Sequence, residues 1–148
     1  MQEVFEQTPE LALLMTLPGV GFILGTVLLC EVGDIGRFPS AAHLAAYAGT
    51  TPRVHASGGK TRYGQVRSDV NRYLKWAFVE AANCACRNRR HWPHRHVSRL
   101  YERLGRRKGH STAIGAVARH LAEATYWILT KREAYREPRR AAGSSMAG

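Results

Sequence analysis

From Leu11 to Cys30 the chain runs without a single charged residue, a length that would cross a bilayer. Its middle argues against that use. Pro18, Gly19 and Gly21 interrupt the run, and Glu3, Glu6 and Glu10 precede it where a signal peptide carries positive charge. The run therefore reads as two short buried helices joined by a turn, with no targeting segment. Thr8 and Pro9 suit the start of the first helix, which ends at Leu17-Pro18. The second is expected from Phe22 to about Glu31, stopping near Gly33. Two helices around L-P-G-V-G resemble a helix-hairpin-helix, in which glycines such as Gly19 and Gly21 let backbone N–H groups reach a phosphate. Packing or dimerisation would explain the same turn, and no Lys or Arg occurs before Arg37.

The pattern beyond it is helical. Ser40 caps a third helix, Ala41 to Ala48, that stops at Gly49, with Leu44, Ala45 and Tyr47 buried. A long helix is expected from Asp69 to about Asn88, with Ser68 as its cap and Val70, Tyr73, Leu74, Ala77, Ala81 and Ala85 as its apolar stripe. Val97, Leu100, Tyr101 and Leu104 mark another helix, stopping at Gly105. A last one runs from Ser111 to about Ala134, with Tyr126 and Trp127 helping to close the core. The expected fold is mainly α, one compact domain over residues 1–137, followed by a tail at 138–148 with nothing to bury.

One stretch does not fit a helix. Between Thr51 and Ser68, Pro52, Gly58-Gly59 and Gly64 break helical propensity every few residues, and the pattern reads as a glycine-rich loop or β-hairpin with Ser57 near its tip. Arg53, Lys60, Arg62, Arg67, Arg72 and Lys75 lie in or just after it against one carboxylate, Asp69. Cations at the start of a helix oppose its dipole unless an anion sits there, so these six are candidate phosphate ligands. A solvated basic loop is the plainer alternative.

Charge is distributed unevenly. Of the net +11, residues 1–50 contribute −4 and residues 51–148 contribute +15. Nine further cations from Arg87 to Lys108 against Glu102 form a second basic cluster. This balance points to a polyanion, nucleic acid before membrane, since no long basic amphipathic helix is present. Cys30, Cys84 and Cys86 have no disulfide-framework spacing, which suits a reducing cytoplasm. Zinc on Cys84 and Cys86 with His91, His94 or His96 is disfavoured, because cysteines two apart on a helix face apart; no metal ligand is assigned.

Taken in order, L-P-G-V-G, E-V-G-D-I-G-R-F-P-S-A-A-H-L-A-A-Y-A-G-T-T-P-R, A-S-G-G-K-T-R-Y-G and N-R-Y-L-K-W-A-F-V-E-A-A resemble the C-terminal transposase domain of IS110-type insertion-sequence transposases, also called bridge-RNA-guided recombinases. The resemblance covers about Leu17 to Lys131. It implies that Ser57, the serine of S-G-G-K, is a nucleophile that attacks a DNA phosphodiester. It also implies a partner half, an RuvC-like domain whose acidic tetrad holds magnesium, together with a guide RNA and a dimeric or tetrameric assembly. On that expectation the chain is an excised domain, not active alone. Tyr63 is the rival hydroxyl, and His55 is a candidate base two residues from Ser57.

Overall fold

A computed structural model describes residues 8–51 and 70–138 of the chain, and every regular element among them is helical. Six α-helices follow one another: α1 (Pro9–Leu14), α2 (Phe22–Val32), α3 (Ala41–Tyr47), α4 (Arg72–Arg87), α5 (His96–Lys108) and α6 (His110–Lys131), with a 3-10 turn at Ile35–Arg37. The last helix is the hub. It packs against α1, α3, α4 and α5, while α2 lies on α1 and α4. Its buried residues, Ile114, Val117, Ala118, Leu121, Ile128 and Leu129, meet Leu14, Leu28, Leu44, Leu74 and Phe78 in one core.

The charge-free run is divided as its glycines and proline require. α1 closes with Thr16 and Leu17 bonded back to Leu13 and Leu14, and the chain turns through Gly19 at φ +81°. A Cβ on Gly19 would stand 2.1 Å from the carbonyl oxygen of Ala81, so this turn lies directly on the α4 backbone. No helix among the described residues is long and apolar enough to cross a membrane. α2 ends at Gly33, and Ser40 caps α3 by accepting from the His43 N–H at 3.3 Å.

Three boundaries differ from expectation. α4 starts at Arg72 and is capped by Asn71, whose side-chain oxygen accepts from the Leu74 N–H at 2.9 Å; Ser68 is not the cap. α5 runs through Gly105 to Lys108 and stops at Gly109, φ +92°, which alone connects it to α6. A Cβ on Gly105 would make only ordinary contacts, 3.9 Å from Tyr101 and 4.0 Å from Ala113, and the stop falls instead at Gly109, where the backbone turns to positive φ. α6 ends at Lys131 on a left-handed Arg132, whose guanidinium pairs with Glu10 at 2.9 Å and ties the C-terminal segment to α1.

Two aromatic residues placed in the core by their spacing are outside it. Tyr73 and Trp127 are exposed, because Leu74, Ala77, Phe78 and Ala81 on α4 and Leu121, Ile128 and Leu129 on α6 already fill the interior.

His120 on α6 is half-buried, with its Nε2 2.9 Å from the Tyr135 hydroxyl and its ring 4.6 Å from that of His96. Burial first, and the His96 charge second, push it from the ordinary 6.5 down to about 4. The unfolded chain therefore takes up a proton that the folded chain refuses. Stability is full above pH 6.5 and falls towards pH 4, by about 3 kcal/mol at about 1.4 kcal/mol per pH unit. Denaturant melts between these limits should show that loss in the wild type, and His120→Gln should flatten it.

Candidate nucleic-acid interface

The described residues on either side of positions 52–69, which include Ser57, meet at one place. α3 ends at Ala48, and Gly49 then takes φ +71°, where a side chain would collide with Val70 at 2.8 Å and touch the Lys75 stem at 3.2 Å. Thr50 bonds back to the Ala45 carbonyl through both its N–H (3.0 Å) and its hydroxyl (2.9 Å). On the other side the Asn71 N–H donates to the Tyr47 carbonyl at 2.7 Å. Both sides are thus stitched to the C-terminal turn of α3.

Asn71 does more than cap α4. Its amide nitrogen donates to Glu31 Oε1 at 2.8 Å and to the Tyr47 hydroxyl at 3.3 Å, so one side chain joins α2, α3 and α4. Arg37 completes the cluster, its guanidinium over the rings of Phe38 (4.5 Å) and Tyr47 (4.9 Å) while it donates to the carbonyls of Val32 and Glu31. The bonds from Asn71 and then Arg37 hold the Tyr47 hydroxyl below the usual phenol range. A cap of this kind is worth about 1 kcal/mol.

Of the phosphate-ligand candidates, Arg72 and Lys75 are exposed on the first turn of α4, and neither takes part in an ion pair among the described residues. Ser57, Arg53, Lys60, Arg62 and Arg67, together with His55 and Tyr63, lie outside the described residues. Gly19 and Gly21 are not brought to the same spot. Gly19 packs on Ala81, six residues beyond Lys75 and so roughly 9 Å further along α4, and Gly21 holds the exposed N-cap of α2 with nothing within 4 Å of a notional side chain.

The second basic cluster sorts into two groups. Arg89 is engaged, bonded to Glu102 at 3.0 Å and to the Cys86 carbonyl at 2.8 Å and lying over Tyr101; Arg95 lies over Trp92, and Arg99 donates to the His94 carbonyl. Arg87, Arg90, Arg103, Arg106, Arg107 and Lys108 are exposed, with no ion pair among the described residues. Cys86 is buried, which pushes its thiol up to about 11, and among the described residues no three His, Cys, Asp or Glu are placed to share a metal ion.

Sequence reasoning missed Glu31, Tyr47 and Asn71 as a unit, and the exposure of Tyr73 and Trp76. Asn71 three residues before Leu74 is itself a cap signal. Nothing in the sequence places Glu31, forty residues away, beside it.

The profile of the Transposase IS116/IS110/IS902 family matches residues 11–98, which include the segment bearing Ser57. An insertion element IS110 protein of Streptomyces coelicolor is 35% identical over 97% of this chain and 34% of its own length. The transposase for insertion sequence IS1111A of Coxiella burnetii is 29% identical over 82% of the chain and 33% of its own length. A pilin gene-inverting protein of Moraxella bovis is 51% identical over 34% of the chain and 17% of its own length. The chain spans about a third of the length of the first two of these relatives.

Proposed function

Because the chain belongs to the IS116/IS110/IS902 transposase family, we propose that it is the strand-transfer part of a DNA transposase or recombinase, with Ser57 as the nucleophile. The Ser57 hydroxyl gives up its proton, its oxygen attacks the phosphorus of a DNA backbone phosphodiester, and the bond to the departing sugar oxygen breaks. The proton ends on that sugar hydroxyl. A phosphoserine ester remains, which a second sugar hydroxyl attacks in reverse, so rejoining needs no ATP. Lys60, Arg62 and Arg67 neutralise the phosphate during both steps. The glycines at 58 and 59 leave the approach to Ser57 open.

The observation that carries this reading is the joining of Gly49–Thr50 and Val70–Asn71, the described residues on either side of the positions that include Ser57, next to Arg72 and Lys75, which are exposed and take part in no ion pair among the described residues. The relatives' names support it: four describe a transposase, putative or probable in three of them, and two describe gene inversion.

By resemblance, the full assembly adds an RuvC-like half with magnesium on its acidic tetrad, a guide RNA and further copies of the chain, working in the cytoplasm. Magnesium supplies phosphate activation in that half, and the residues described here offer it no cluster of ligands.

The test of DNA engagement is the salt dependence of duplex binding. If about five cations meet phosphates, affinity should drop at least about 100-fold between roughly 50 and 200 mM salt. A flat response would remove nucleic acid as the partner.

A further inference from the structure

We propose that Arg72, Tyr73, Lys75 and Trp76, on the first turns of α4, form a stacking platform for an unpaired DNA strand. The inference rests on the DNA reading above and adds to it a subsite and the state of the DNA that fills it.

Three tryptophans are about half exposed, and two of them are occupied by the protein itself. Trp92 lies under Arg95 at 5.2 Å; Trp127 lies under Lys131 at 5.2 Å and against Tyr126 at 5.1 Å. Trp76 is 49% exposed and Tyr73 is 65% exposed, and neither ring meets another ring or a cation among the described residues. Three residues apart on a helix, they are neighbours on one face, separated by roughly 4.5 Å along its axis. Leu74, Ala77 and Phe78 take the adjoining side of α4 into the core, so the two rings stand exposed on a helix anchored by its buried residues.

Arg72 stands four residues before Trp76 and so beside it on the helix surface, Lys75 stands three residues after Arg72 on the adjoining face, and neither is in an ion pair among the described residues. Free aromatic faces beside free cations suit a ligand with flat rings and negative charge in alternation, which is a nucleic-acid strand. A closed duplex offers the phosphates and hides the base faces. The aromatic part of the platform is therefore usable only when the bases are unpaired. Strand exchange opens DNA at the point of cleavage, and the platform begins two residues after Val70, the first described residue beyond the positions that include Ser57. An opened DNA strand next to the nucleophile is the occupant that fits.

The experiment measures binding of the 148-residue chain to one DNA sequence as a single strand, as a duplex with a central unpaired bubble and as a full duplex, with the matching RNA strand alongside. Trp76→Ala and Tyr73→Ala should each weaken the single strand and the bubble by about 5- to 100-fold and leave the full duplex within about twofold. Trp76→Phe should retain most of the affinity, and Trp127→Ala should change nothing. Helical signal and melting temperature, measured on each variant, confirm that these exposed positions leave the fold intact. Equal losses on duplex and single strand, or no loss on either, overturn the platform while leaving DNA binding in place. Tighter, Trp76-dependent binding of the RNA strand overturns the choice of DNA. A chain that binds none of the four overturns both this inference and the function it rests on.

Discussion

Ser57→Ala, placed in this domain joined to the RuvC-like half proposed for it, is expected to abolish strand transfer and to leave DNA affinity within about twofold. The expected loss of rate is about 10,000-fold or more, because removal of a covalent nucleophile leaves only positioning and electrostatics to act on the phosphodiester. Affinity survives because it rests on cations and not on the serine hydroxyl. A comparison of turnover with binding on the same preparation checks both halves. Tyr63→Phe serves as the control: as the other hydroxyl of the segment, it should leave strand transfer largely intact. If the two substitutions exchange behaviour, the tyrosine is the nucleophile.

Gly19→Ala is the largest structural effect expected. The added methyl would be built 2.1 Å from the Ala81 carbonyl oxygen, a backbone atom in the middle of α4 that cannot swing aside, and Gly19 holds φ +81°. A left-handed angle costs a side chain about 1–2 kcal/mol, and forced overpacking adds about 1–3 kcal/mol. The sum, about 2–5 kcal/mol, should lower the melting temperature by roughly 10 °C for a chain of this size. Gly21→Ser, two residues on, should be neutral or mildly stabilising. It has an extended backbone, open space and the N-cap position of α2, where serine is a better residue than glycine. The contrast gives the two glycines of the turn different work. Gly19 seats the α1–α2 hairpin on α4, and Gly21 is the one left exposed.

Much of the helical order was legible because its signals are local. Ser40 before Ala41, Pro9 at the start of α1 and Gly33 and Gly49 after α2 and α3 act through their own backbone, and the structure places each at the boundary its chemistry suggests. Where tertiary packing decides, the sequence was a poorer guide. Gly105 looks like a stop and is carried inside α5, which ends only at Gly109. Ser68 and Asn71 are equally good caps in isolation. Asn71 is the one used, and it is the one whose second amide hydrogen-bonding group finds Glu31 and Tyr47. Tyr73 fits the apolar stripe of α4 by its spacing from Val70 and Ala77, yet the core beside it is already filled by Leu74 and Phe78.

The candidate site was legible in a different way. The breakers Pro52, Gly58-Gly59 and Gly64 and the cations around them mark an irregular basic segment by elementary propensity alone, while the role of Ser57 comes from resemblance to a family of transposases. What no local signal could supply is the meeting of α2, α3 and α4 at Asn71, since contacts across twenty-four and forty residues exist only once the helices have packed. That junction fixes Asn71 and the start of α4, the described residues that follow the basic segment in the chain.

The measurement to make is the chemical identity of the protein–DNA link. Domain and RuvC-like half, guide RNA, magnesium and matching DNA are reacted and denatured, the DNA is trimmed with nuclease, and the protein is digested and its peptides weighed. A nucleotide carried on the peptide containing Ser57, at the serine oxygen, is the predicted result. A nucleotide on Tyr63, or recombinant DNA formed with no protein-linked strand at any time, would contradict it.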